Sequence, residues 1–255
     1  MMMLTYRLLL RVVFFMMFSF SLNAQRQTVI DSLQRALQKT QADTTRLKIY
    51  NQLAYQLLPD STQVMAYTQK AIALAKTTNV TMELVEAYVL RGRLLYRLGH
   101  SDLASKYYRQ ILTIPNIENY PKAKADYFMG LTLIEGAKSN YEQALLYGNR
   151  ALKIYKSSNH QARCQEALYQ LGVIHSKEGS YDIAISQYFE ALKIAKALRD
   201  TQGQTEIYNN IGLLYNWKGA NPKALEYLFQ ALSLGEKQGK AGLLGRAYDN
   251  IGVVY

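Results

Sequence analysis

Apolar positions recur three or four residues apart along most of this chain, and the stretch from Tyr208 to Leu232, YNNIGLLYNWKGANPKALEYLFQAL, shows the pattern most plainly. Tyr208, Ile211, Gly212 and Tyr215 share one helical face. Gly219 breaks that helix, Asn221 is placed to cap the next, and Pro222 falls in a first turn, where its missing N–H costs nothing. Ala224, Leu228, Ala231 and Leu232 form the apolar face of the second helix. Small residues at Gly212, Ala224 and Ala231 let the two helices approach closely. Neither helix can bury its face alone, so the unit needs neighbours.

The neighbours stand at a step of 40 residues. Ala224 is preceded in register by Ala184, Ala144, Ala104 and Val64, and Leu232 by Leu192, Leu152, Leu112 and Ile72. Ala231 is preceded by Ala191, Ala151, Ile111 and Ala71. A glycine column holds Gly252, Gly212, Gly172, Thr132 and Gly92, and an aromatic column holds Tyr248, Tyr208, Leu168, Phe128 and Tyr88. Turns fall at Gly219, Gly179, Ser139 and Gly99. Several columns in one register are the signature of a stacked array.

These columns resemble the tetratricopeptide repeat (TPR): an aromatic, an apolar-Gly pair, an aromatic, then G-x-Y-x-x-A, a bulky residue and Ala. Leu171-Gly172, Gly179, Tyr181, Ala184, Tyr188 and Ala191 carry the likeness in one repeat. The usual repeat has about 34 residues. The longer step, and the lack of the family's proline near the end of the second helix, suggest longer helices, as in the 40-residue subclass. The resemblance covers roughly residues 43–255. It implies an all-α fold, a right-handed α-solenoid of antiparallel helix pairs whose first helices line a concave groove. It is specific for fold and weak for function.

Residues 1–24 carry Arg7 and Arg11, no acid, and an apolar run from Val12 to Leu22 that is too short to span a bilayer. This reads as a secretory signal peptide cut after Ala24, with Ser21 as the alternative site and an uncut anchor as the other reading. No cysteine lies near the site, which argues against a lipid anchor. Residues 25–42 form a capping segment, where Ile30, Leu33 and Leu37 share a helical face that would shield the first repeat. The phrase DTTRLKIYNQLAYQL from Asp43 resembles the opening of exported Bacteroidota TPR proteins, often sensor or regulator ectodomains. Helix pairs are predicted at about 43–77, 82–115, 121–157, 161–198 and 202–237, with a truncated sixth to residue 255. Pro59-Asp60 replaces the glycine turn in the first pair.

Charge and chemistry change this picture little. The chain is +11, and without the two leader arginines it keeps 28 basic and 19 acidic residues. No nucleic-acid motif accompanies that charge, so a solvated basic face is the reading and no nucleic-acid partner is expected in this segment. The single cysteine, Cys164, excludes an intrachain disulfide. His160, Cys164 and His175 lack the ligand number and orientation a zinc site needs; Cys164 reads as a small packing residue and His175 as a semi-buried one. No catalytic residue, metal or cofactor is implied, and Glu86, Glu166 and Glu206 form no local carboxylate pair.

What is left is a surface. On the first helices, opposite the packing columns, lie Arg93, Tyr96, Arg97, Tyr169, Lys177, Asn209, Asn216 and Trp217, beside Glu86, Glu166, Glu206 and Asp249. Aromatics among amides and charges suit peptide recognition. The expectation is an exported, non-catalytic scaffold in the periplasm or cell envelope that binds a protein or peptide partner. The alternatives are the sensory part of a larger signalling protein, with a membrane span and a kinase, cyclase or DNA-binding output beyond Tyr255, and an envelope assembly scaffold. RAYDNIGVVY aligns with a first helix, so the register predicts a further partner helix past the last residue.

Overall fold

A computed structural model describes residues 26–57, 60–238 and 241–255. The leader assigned to residues 1–24, its cleavage site, and Pro59 lie outside them. Every regular element among the described residues is helical. They run α1 (26–39), α2 (Asp43–Gln56), α3 (Ser61–Thr78), α4 (Thr81–Arg97), α5 (Ser101–Gln110), α6 (Pro121–Ala137), α7 (Tyr141–Ser157), α8 (Gln161–Glu178), α9 (Tyr181–Ala197), α10 (Thr201–Trp217), α11 (Asn221–Gln238) and α12 (Ala241–Val254). They group into two compact units, Thr28–Ile174 and His175–Tyr255.

One turn chemistry ends the helices. Gly99, Gly179 and Gly219 take positive φ of 81°, 89° and 73°, and Ser139 takes the same place at 62°. The next residue's N–H then reaches back to the carbonyl five positions earlier: His100 to Leu95 at 2.9 Å, Asn140 to Glu135 at 2.9 Å, Ser180 to His175 at 2.9 Å and Ala220 to Tyr215 at 2.8 Å. This closure satisfies carbonyls that a helix end leaves orphaned. Between pairs the same bond forms behind Asn79, Asn159 and Arg199, each near φ 55°. In the first pair, where no glycine turn occurs, the Asp60 carboxylate accepts from Gln63 N–H at 3.0 Å and caps α3.

Within Thr28–Ile174 each of α2 to α6 packs on the next, α6 packs on α7, and first helices also pack on first helices, α2 on α4 and α4 on α6. The alanine columns are the seams: Val64, Ala71, Ala104, Ala144 and Ala151 have no exposed surface. Ile30 of α1 is buried, with Leu33 and Leu37 packed beside it against Leu53 and Ala54 of α2. Within His175–Tyr255, α10 packs on α9, α11 and α12, and α11 packs on α12. Ala184, Ala191, Ala224 and Ala231 are fully buried there. A Cβ on Gly212 would lie 2.6 Å from Leu228 Cγ, so glycine sets that helix spacing.

Two sequence expectations need correction. Leu112 is 43% exposed, although its column is otherwise inward. Pro115 holds Ile114 in an extended conformation, φ −74° and ψ 129°, so the helix cannot continue. The chain tightens into two 3-10 turns, Ile111–Thr113 and Ile117–Asn119, which advance side chains at a different angle, and Ile111, Ile114 and Ile117 are buried instead. Asn221 is the first residue of α11 rather than its cap, and its amide donates to the Val254 carbonyl at 3.5 Å.

Candidate functional site

Six charged side chains from α4, α6 and α8 close into one network inside Thr28–Ile174. Arg93 of α4 pairs with Glu166 of α8. Arg163 donates to Glu166 Oε2 at 2.9 Å and lies 3.6 Å from Asp126 and 3.8 Å from Glu86. Lys122 stands 2.7 Å from Asp126 and 3.8 Å from Glu86. The Tyr155 hydroxyl donates to Asp126 Oδ1 at 2.6 Å. Three acids meet three bases, so the network is neutral. Asp126 is almost wholly buried, which is tolerable for a carboxylate only because donors surround it.

Burial alone would push the Glu166 carboxyl up, but Arg93 and Arg163 overcome it and hold it at about 2. Burial opposes the charge on Arg163, and Asp126 and Glu166 more than reverse that, so its pKa rises. Tyr155 is pushed up by burial and then by the Asp126 charge beside it, which keeps it a donor. Tyr108 lies near the same charges, buried, with no hydrogen-bond partner for its hydroxyl among the described residues. Its ring fills the space over Gly92 and Gly130, where a Cβ would come within 2.7 and 2.3 Å of it.

Beside the network, α2 and α4 frame an open cavity of about 270 Å³, lined by Lys48, Asn51, Gln52, Met82, Glu83 and Glu86. Glu86 belongs to both features. Asn51 Nδ2 donates to the Glu83 carbonyl at 2.9 Å. Its Oδ1 is buried with no partner among the described residues.

The residues expected to line a groove fall in both units. Arg93, Tyr96, Arg97 and Tyr169 lie in Thr28–Ile174; Lys177, Asn209, Asn216 and Trp217 lie in His175–Tyr255. Arg93 is only partly open, and its guanidinium is engaged by Glu166. Tyr96 packs against the core around Tyr108, Tyr169 is half-buried, and Arg97 is exposed. Asn209 is 5% exposed, so it is a core amide rather than an open one; its oxygen takes a hydrogen bond from Asn250 at 3.4 Å. Asn216 is half-buried and Lys177 exposed. Trp217 is 54% exposed, and its ring tilts against Tyr181 across the α8–α9 and α10–α11 turn positions, centroids 5.7 Å apart. Cys164 is buried, and His175 is half-buried with Nδ1 3.1 Å from Glu178.

Asp126, Arg163, Lys122, Tyr155, Asn51 and Glu83 were not singled out from the sequence. A signal was present: Glu86, Asp126, Glu166 and Glu206 stand at the same 40-residue step, one acid on the first helix of each of four successive repeats. Their spacing along the chain hides them from any local search for carboxylate pairs. The arrangement presents fixed donors, acceptors and packing surfaces, which is the equipment of recognition. Among the described residues no group of three or more His, Cys, Asp or Glu side chains could hold a metal ion, and no helix is long and apolar enough to cross a membrane.

Residues 85–116 and 165–198 match the tetratricopeptide repeat family. No curated protein matches the chain at a significant level. Among solved structures it is similar to aspartyl phosphate phosphatase F from Bacillus subtilis, with TM-score 0.67, 16% identity, and coverage of 86% of this chain and 59% of that one. It thus spans less than two thirds of the phosphatase chain's length. It is also similar to a Rap protein complexed with competence and sporulation factor, TM-score 0.65, 16% identity, over 93% of this chain and 72% of that one. A third is BtubC from P. vanneervenii, TM-score 0.61, 21% identity, over 83% and 88%. At these identities the likeness is one of fold.

Proposed function

We propose that this chain, an all-α array of tetratricopeptide repeats, is an exported scaffold that binds a protein or peptide partner on its first-helix face and performs no chemistry of its own. One observation carries the reading. In Thr28–Ile174 six first-helix side chains are held in a neutral, hydrogen-bonded network beside an open cavity whose lining includes the buried Asn51 oxygen, unpartnered among the described residues. Preformed polar groups around a cavity are what a binding surface needs, because little ordering is left to be done on association. Export is supported by Arg7, Arg11 and the short apolar run ending at Leu22.

Two measurements test it. N-terminal sequencing of the envelope product should begin near Leu22 or Gln25; intact Met1 protein in the cytosol would refute export. For binding, a partner captured from the envelope fraction and then purified should lose affinity for the Arg97→Ala, Tyr169→Ala double variant. Truncation of an aromatic or arginine anchor commonly costs about 2 kcal/mol or more. Unchanged affinity in that variant and in Trp217→Ala would move the binding surface to the second helices.

A further inference from the structure

We propose that the cavity between α2 and α4 receives the basic side chain, lysine or arginine, of the partner. This rests on the partner-binding reading above and adds the chemistry of one contact. Among the described residues the Asn51 side-chain oxygen, in the lining of this cavity, has no partner, and two carboxylates stand near it. Asn51 is 7% exposed, and its Nδ2 is committed to the Glu83 carbonyl at 2.9 Å. That bond fixes the amide's orientation, since only the nitrogen can donate. Oδ1 is left buried and without a donor among the described residues. Buried acceptors of this kind are uncommon in folded proteins and point to a missing partner.

Two carboxylates stand with it. Glu83 and Glu86 are three residues apart on α4, hence on one face. Glu83 forms no ion pair among the described residues. The cations nearest Glu86, Lys122 and Arg163, are both 3.8 Å away, beyond hydrogen-bond length, so its oxygens keep acceptor capacity. Against these, the wall holds one cation, the exposed Lys48 of α2. Met82 adds an unbranched apolar surface on which a methylene stem can lie while its charged head reaches the acceptors. A space of about 270 Å³ suits one long side chain. An anionic group would face Glu83 and Glu86, and an apolar one would leave the Asn51 oxygen unmet.

The test uses the full chain carrying 13C-methyl methionine, with the Met82 signal identified by its loss in Met82→Leu. The probes are tripeptides blocked at both ends, with alanine on either side of lysine, arginine, norleucine or glutamate. Lysine and arginine peptides should shift the Met82 methyl saturably at millimolar concentration, and norleucine and glutamate peptides should not. Glu83→Gln should weaken the lysine peptide about tenfold, the equivalent of ~1.4 kcal/mol. The other methionine signals should stay in place, which shows that the variant is folded. An equal response to norleucine makes the cavity merely apolar and overturns the proposal. So does a response to glutamate, or none to any peptide. If a purified partner loses affinity through Arg97 and Tyr169 while Met82 stays silent, the scaffold stands and this contact falls.

Discussion

Tyr108 shows how a single side chain depends on what its neighbours lack. It is buried, and its ring occupies the space that Gly92 and Gly130 leave open on two different helices. Gly92→Ala would set a methyl 2.7 Å from that ring. It should lower stability by about 1–3 kcal/mol in urea unfolding, the usual range for overpacking. Gly245, with nothing within 4 Å of its absent Cβ, lies in α12. There alanine should be neutral or stabilise by up to about 1 kcal/mol, because only helix propensity changes. A neutral Gly92→Ala would show that the ring is not confined. Arg91 makes a related point about reading residues from sequence. Its column is otherwise Leu131, Leu171, Ile211 and Ile251, and a buried guanidinium replaces them. Its Nε donates to Thr68 at 2.8 Å and its terminal nitrogen to the Met65 carbonyl at 2.8 Å and Gln69 at 3.1 Å. The 40-residue register says where that side chain points. It does not say which acceptors meet it, because those sit on a helix more than twenty residues away.

Between helices, two kinds of contact hold neighbours at their spacing: alanine seams and the charged network. Ala184 is fully buried in the α9 seam. Ala184→Trp should cost at least the 1–3 kcal/mol typical of overpacking, roughly, and should lower the thermal midpoint; a neutral result would count against the register. The network behaves differently because it titrates. The Glu166 carboxyl is held at about 2 in the folded chain, against an ordinary value of 4.5. A depressed folded pKa contributes stability that is complete above the unfolded value and fades as pH falls through the folded one. The stability difference between the native chain and Glu166→Gln should therefore be largest above pH 4.5 and shrink toward zero near pH 2. A difference that stays constant across that window would mean that Arg93 and Arg163 do not hold the carboxylate. The helix boundaries and the alanine seams were legible because each depends on a local period and on turn residues that leave a mark at a fixed step. The network was only half legible. The pattern puts Glu86, Arg93 and Glu166 on one face, but as open groups. That Arg93 spans from α4 to Glu166 on α8, 73 positions along the chain, depends on side-chain length and helix spacing, which the pattern does not contain. Asn209 differs for the same reason: the pattern puts it on the outward face, whereas Asn250 and the neighbouring packing enclose it.

Over the whole chain the positive charge is uneven in a way that total composition conceals. Residues 28–174 carry 18 basic and 11 acidic side chains, whereas 175–255 carry 9 and 8. Part of the excess follows helix electrostatics. The second helices α3, α5 and α7 hold Lys70, Lys76, Lys106, Arg109, Arg150, Lys153 and Lys156 against Asp102 and Glu142 alone. Both acids stand in first turns, and Lys76, Arg109 and Lys156 in last turns, each sign at the helix end that favours it. The remaining bases have no such local reason and leave this second-helix surface cationic, while the first helices carry the neutral network and the acceptor-lined cavity. Two surfaces of different charge on one unit would sort partners: acidic surfaces toward α3, α5 and α7, and, under the proposal above, a basic side chain toward the cavity of α2 and α4. Fields of this kind act on encounter and are weakened by salt. The distribution can be measured without knowing any partner. Charge reversal at Lys106 and Lys153, and separately at Lys193 and Lys237, alters net charge by the same amount, and all four side chains are exposed. If charge were spread evenly, both double variants would leave a cation exchanger at the same reduced salt concentration. The clustering on α5 and α7 instead predicts a distinctly larger drop for Lys106→Glu with Lys153→Glu, because adsorption occurs through the most cationic face. Equal drops would show that no such face governs the chain's long-range electrostatics.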